Sequence, residues 1–185
     1  MKKLMFAPFA LAAALVLPAA APAELAQGAT APDFTTATAL AGNEKQFSLR
    51  AALRKGPVVL YFYPKSFTEG CTLEAHAFAE ATKDFTAAGA TVIGLSADDI
   101  ATQKEFSRKD CRDKFAVGVA TPEIIAGYDV HLKRPDGTAT GRTTRTSYVI
   151  GRDHKVKLVY TDMNFNQHVA KTLEAVRALK SARRR

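Results

Sequence analysis

The run Val58-Val59-Leu60-Tyr61-Phe62-Tyr63 constrains this chain more than any other segment, because it leaves a strand no polar face. A short β-branched and aromatic run without alternation is the signature of a strand buried on both sides, as in parallel sheets covered by helices. Pro64 stops the run, and the polar loop Lys65-Ser66-Phe67-Thr68-Glu69-Gly70 leads to Cys71. Such a strand needs partners along its edges and a helical layer on each face.

The remaining segments predict those partners. Phe34 to Leu40 and Lys45 to Leu49 flank a hairpin turn at Ala41-Gly42-Asn43-Glu44, and Ser48 caps a short helix through Arg54 that stops at Gly56-Pro57. Leu73 to Ala88 reads as a helix with Phe78, Ala81, Phe85 and Ala88 on one stripe, ending at Gly89. Thr91 to Ser96 is a second buried strand, and Asp98-Asp99 cap a helix through Ile100 and Phe106 to about Cys111. Phe115 to Ala120 is a third strand, and Thr121-Pro122 opens a short helix ending near Tyr128. Lys133 to Arg142 reads as a Pro/Gly/Thr loop. Ser147 to Ile150 and Val156 to Tyr160 are strands joined by a turn, and Val169, Leu173, Val176 and Leu179 mark a final amphipathic helix. This order predicts an α/β protein with a thioredoxin-like fold, a central mixed sheet with helices on both faces.

Charge and cysteine usage narrow the function. The formal charge of +8 includes Lys2 and Lys3, which precede an apolar run from Leu4 to Leu17 and the small-residue pattern Ala21-Pro22-Ala23. Basic, then apolar, then A-x-A is the order of a secretory signal peptide, with an uncleaved N-terminal anchor as the alternative. Cleavage after Ala23 leaves 24 basic against 18 acidic residues, a charge of +6. The organisation expected is residues 1–23 as signal peptide, 24–32 as an extended lead-in, 33–180 as the domain and 181–185 as a basic tail. No aromatic residue interleaves with Arg183-Arg184-Arg185, so a nucleic-acid partner is not expected. Two cysteines and four scattered histidines exclude a disulfide-dense scaffold and a zinc site. No nucleotide, flavin or metal motif is present, and catalysis is expected to need no cofactor.

Cys71 stands where a buried strand turns into a helix, a region where open α/β sheets place their ligands. Unpaired backbone N–H groups in a first helical turn stabilise a thiolate there. The competing reading is a buried cysteine acting as a small hydrophobe.

Pro64-x-x-x-Thr68-x-x-Cys71 resembles the PxxxTxxC signature of peroxiredoxins, and YFYPKSFTEGCTLEA looks like the bacterioferritin-comigratory (PrxQ) class of the AhpC/TSA family. The resemblance runs from Ala31-Pro32-Asp33-Phe34, through Gly94 to Asp99, to Arg145 and the following Thr146-Ser147-Tyr148-Val149-Ile150. It implies that Cys71 is the peroxidatic cysteine, Thr68 bonds thiolate and peroxide, Pro64 shields the pocket and Arg145 completes the site. Glu74 matches an acidic residue with a positioning role. Arg142 competes with Arg145, which is preferred because it abuts the strand. The chemistry fits: a guanidinium and backbone N–H groups stabilise both the thiolate and the charge developing across the O–O bond.

Many members of this class carry a resolving cysteine five residues after the first, where this chain has His76. The second cysteine, Cys111, lies forty positions on. Three readings stay open for it: a resolving cysteine, whose neighbours Lys109 and Arg112 would favour its thiolate; an inert structural thiol; or half of a constitutive disulfide with Cys71. His76 is off the face of Cys71 and is not expected to pair with it. Phe67 reads as an exposed apolar contact, and Phe62, Phe78, Phe85 and Phe106 as core. The activity implied is thiol peroxidase, with one-cysteine chemistry, exported thiol–disulfide exchange and non-enzymatic binding as alternatives. Exchange would want Cys-x-x-Cys, where the chain reads Cys71-Thr72-Leu73-Glu74. The expected partners are a peroxide and, given export to the periplasm, a thioredoxin-like thiol reductant. Monomer and homodimer both remain open.

Overall fold

The computed structural model describes residues 25–182; the signal-peptide reading of residues 1–23 and the last arginines of the tail lie outside the described residues. At its centre β3 (Val58–Phe62) is buried along its whole length. It pairs in parallel with β4 (Thr91–Ser96), which pairs in parallel with β5 (Ala116–Val119). Its other edge pairs antiparallel with β8 (Thr146–Ile150), which carries β9 (Val156–Thr161) at the sheet margin. On the far side β5 takes the hairpin of β1 (Thr35–Leu40) and β2 (Asn43–Ser48), giving one seven-stranded mixed sheet.

Alternation along β3 divides the core. Val58, Leu60 and Phe62 join α1 (Leu49–Lys55) and α4 (Pro122–Gly127) on one face. Val59 and Tyr61 join α2 (Glu69–Ala87), α3 (Ile100–Lys109) and α5 (His168–Ala182) on the other. Both faces of β3 are therefore covered, as its sequence demands. The caps read from sequence close three of these helices: Ser48, Asp99 and Thr121 each accept a backbone N–H from their first turn.

Two expectations are corrected. The helix after Cys71 begins at Glu69, four residues before Leu73, because extended Thr68 (φ −87°, ψ 148°) is already its N-cap. The lead-in is tied to β9: Gly28 N–H donates to the Val156 carbonyl at 2.8 Å, Val156 N–H to the Ala29 carbonyl at 2.9 Å, and Ala31 is buried. The stretch read as a loop over 133–142 is largely a hairpin of β6 (His131–Lys133) and β7 (Ala139–Thr143). Arg134 N–H to the Thr138 carbonyl and Gly137 N–H to that of Arg134 close its turn, and the flanking threonines tolerate extended backbone. No helix among the described residues is long and apolar enough to cross a membrane.

Candidate active site

The loop leaving β3 is held by a buried polar net. Tyr63 Oη donates to Gln103 Oε1 at 2.6 Å and lies 3.3 Å from Ser66 Oγ, while Gln103 Nε2 donates to Ser96 Oγ at 2.8 Å. Ser66 N–H and Ser96 Oγ both donate to Asp98 Oδ2, at 2.7 and 2.8 Å. From above, Thr143 Oγ1 donates to the Tyr63 carbonyl at 2.8 Å. With Pro64 half-buried and Phe67 in the left-handed region (φ 61°), the chain is turned sharply into α2. Cys71 is then the third residue of that helix, 2% exposed, its sulfur in the first turn.

Antiparallel pairing supplies the cation. Phe62 is opposite Thr146, so the residue before β8 lies beside the point where the chain leaves β3. That residue is Arg145, buried, with Nη2 donating to Cys71 Sγ at 3.5 Å and Nη1 donating to Glu74 Oε2. Its Nε donates to the Met163 carbonyl at 2.9 Å. Arg142 is exposed on β7 and has no such place. Gly70 eases the approach: a Cβ there would stand a tight 3.2 Å from Arg145 Nη2. Glu74 is fully buried one turn after Cys71, and burial pushes its carboxyl up to about 8 against the opposing pull of Arg145.

The structure brings Arg145 into direct contact with both Cys71 and Glu74, with Pro64 and Thr68 in the entrance loop. The Thr68 hydroxyl donates to the Lys65 carbonyl at 3.0 Å, so its proton is turned away from Cys71. Gly70, Met163, Ser147 and His168 belong to the same cluster, and sequence reading found none of them. Only Gly70 carried a legible signal, as a glycine inside a helix start.

Cys111 is buried on the same sheet face as Cys71, and both thiols are free in this structure. Burial, followed by Asp110 and Asp113, pushes its thiol well above the usual range. The neighbouring cations do not serve it: Arg112 turns to Glu80 at 3.3 Å and Lys109 to Glu105 at 3.2 Å. Tyr61 lies within electrostatic reach of both thiols; burial first, then Cys111, Tyr63, Glu74 and Cys71, push its phenol up, and its hydroxyl has no hydrogen bond. His76 faces Asp110 at 3.4 Å, as its position off the Cys71 face implies. Phe67 is 45% exposed, its ring edge-on to that of Phe106 at 5.2 Å.

A buried thiol in a first helical turn, bonded to a buried arginine from the neighbouring strand on a thioredoxin-like sheet, defines a redox or nucleophilic thiol site. The AhpC/TSA family model matches residues 27–159, and the chain belongs to that family. Within it the likeness is to the peroxiredoxin Q members. The chain is 34% identical over 165 residues to chloroplastic peroxiredoxin Q of Arabidopsis thaliana, spanning 84% of this chain and 69% of that protein. The peroxidoxin BcpB structure from Mycobacterium tuberculosis superimposes with a TM-score of 0.73 at 30% identity, over 83% of this chain and 97% of that one. The bacterioferritin comigratory protein of Xanthomonas campestris, described for its alkyl peroxide reduction activity, gives a TM-score of 0.68 at 26% identity, over 78% and 91% of the two chains.

Proposed function

We propose that this chain reduces hydrogen peroxide and organic hydroperoxides with Cys71 as the attacking thiolate and Cys111 as the resolving cysteine. The chain is a peroxiredoxin, so thiol-dependent peroxide reduction is its reaction class. The observation that carries the residue assignment is Arg145 Nη2 on Cys71 Sγ at 3.5 Å in the first turn of α2. The thiolate attacks the terminal peroxide oxygen; an S–O bond forms, the O–O bond breaks, and the leaving hydroxide or alkoxide takes a proton. Cys71 loses two electrons and becomes a sulfenic acid. Arg145 and the helix N–H groups oppose charge on the sulfur and then on the parting oxygens. Thr68, whose hydroxyl oxygen can also accept, and Pro64 bound the approach.

In the second step the Cys111 sulfur attacks that of Cys71, an S–S bond forms and water leaves. Joining the two needs Cα atoms within about 7 Å. Cys111 reacts as a thiolate, so burial must be relieved first. The first turn of α2 and the turn over 110–113, where Arg112 (φ 50°) and Asp113 (φ 58°) both hold left-handed backbone, are the segments that loosen. A thioredoxin-like dithiol then restores both cysteines. The basic, apolar, A-x-A order of the N-terminal 23 residues supports reading this cycle as exported, with a donor that is an exported protein of that type.

Three exposed apolar side chains near the site support organic hydroperoxides among its substrates. Phe67, Leu73 and Met163, at 45, 42 and 53%, are exposed large hydrophobics: Phe67 is in the loop before α2, Leu73 is two residues after Cys71, and Met163 supplies the carbonyl that holds Arg145. The reading is tested by steady-state peroxide consumption with a thioredoxin-type reductant. Cys71→Ser should abolish turnover and Cys111→Ser should reduce it while leaving the first oxidation intact. Unchanged turnover in Cys111→Ser would leave one-cysteine chemistry with an external thiol.

A further inference from the structure

His168, the first residue of α5, is fully buried and has no part in the scheme above. Both of its ring nitrogens are engaged. Nε2 lies 2.9 Å from the Asp162 carbonyl, which can only accept, so Nε2 carries the proton. Nδ1 is then the lone-pair nitrogen and accepts from the Ser147 hydroxyl at 2.8 Å. The same Nδ1 faces Glu74 Oε1 at 3.7 Å, the one carboxyl oxygen of that residue without a hydrogen bond. The groups around the ring are Glu74 from α2, Arg145 and Ser147 at β8, and Tyr160 and Asp162 at the end of β9. The Tyr160 ring stands edge-on at 4.8 Å. Burial lowers the imidazole below its usual range, Asp162 opposes that shift, and the Arg145 charge adds to it.

The Asp162–Met163 turn connects this ring to the sulfur. Asp162 N–H donates to the Arg145 carbonyl at 3.2 Å, and the Met163 carbonyl accepts from Arg145 Nε at 2.9 Å. One end of the turn that aims the guanidinium is thus gripped by the imidazole. The opposite edge of the ring backs the carboxyl that shares that guanidinium with Cys71.

We propose that His168 is a positioning residue for peroxide reduction: as a neutral Nε2–H imidazole it clamps the Asp162–Met163 turn and backs Glu74, which together keep Arg145 on Cys71. The proposal rests on the reading of Cys71 as the peroxide-reactive thiol. It needs no proton from His168, only its shape and its two hydrogen bonds.

The test compares wild type, His168→Phe, His168→Gln and Ser147→Ala by the rate of Cys71 oxidation in hydrogen peroxide. Circular dichroism melting and imidazole nitrogen NMR of wild type accompany the rates. A wild-type Cys71 that ignores peroxide would defeat the functional reading itself and is seen before any variant is judged. With a reactive wild type, His168→Phe should slow oxidation about ten- to a hundredfold, the scale of a catalytic group displaced by about an ångström. His168→Gln, whose amide can still donate to the Asp162 carbonyl, should recover most of that loss. The wild-type spectrum should show an Nε2–H tautomer that does not titrate where free imidazole does. A folded His168→Phe as fast as wild type, a His168→Gln no better than His168→Phe, or an Nδ1–H tautomer would each overturn the proposal. Should His168→Phe fail to fold, Ser147→Ala decides: a several-fold slower oxidation supports the clamp, and an unchanged rate overturns it.

Discussion

Arg145 faces two acids, Cys71 and Glu74, so the ionisation of Glu74 decides how its charge is shared. Glu74 holds its proton to about 8 in the fold, whereas its ordinary value is 4.5. Between those values the folded state binds more protons than the unfolded chain. Stability from this group is therefore fully present below about pH 4.5 and is lost as pH rises through about 8. Melting wild type and Glu74→Gln side by side should show wild type losing ground as the pH is raised through that window. A constant difference would mean that Glu74 ionises normally and divides the guanidinium. Tyr61 offers a simpler test. Its buried hydroxyl has no hydrogen bond, so Tyr61→Phe should stabilise the protein by about 1 kcal/mol in denaturant unfolding. A loss of similar size would show that the hydroxyl has a partner after all.

Among elements, α2 was the most legible and the most instructive in error. Its apolar stripe was clear, and Phe78 and Phe85 are buried as expected. Its start was hidden because Gly70 weakens a helix pattern while the real constraint is the guanidinium beside it. Gly70→Ala should gain helix propensity of about 1 kcal/mol yet slow Cys71 oxidation several-fold by pushing Arg145 Nη2 aside. A rate equal to wild type would remove the close approach as a constraint. Arg145 was legible only through the resemblance, since nothing in its own sequence neighbourhood selects it over Arg142. Strand pairing selects it, by setting Thr146 opposite Phe62. Cys111 misled for a related reason. Lys109 and Arg112 adjoin it in sequence, but their side chains leave for Glu105 and Glu80 while the sulfur packs inward. Adjacency along a chain says little about which way a side chain points at a helix end.

At the scale of the molecule, the buried run at β3 decided the architecture, and everything near Cys71 follows from where that strand ends. Parallel β4 at one edge sends Ser96 and Asp98 under the entrance loop, and antiparallel β8 at the other delivers Arg145. Long-range pairing of this kind has no local sequence signal, and for that reason His168, ninety-seven positions after Cys71, was invisible to sequence reading. If export is correct, the protein recovered from the periplasm should begin at Glu24. The central claim, that Cys71 is the thiol peroxide strikes first, is tested most directly by intact-mass and peptide analysis of reduced Cys111→Ser and Cys71→Ser proteins given one equivalent of peroxide. The account predicts a rapid gain of about 16 Da on Cys71 in the first protein and a far slower reaction in the second. Equally fast oxidation of Cys111 in Cys71→Ser would contradict it.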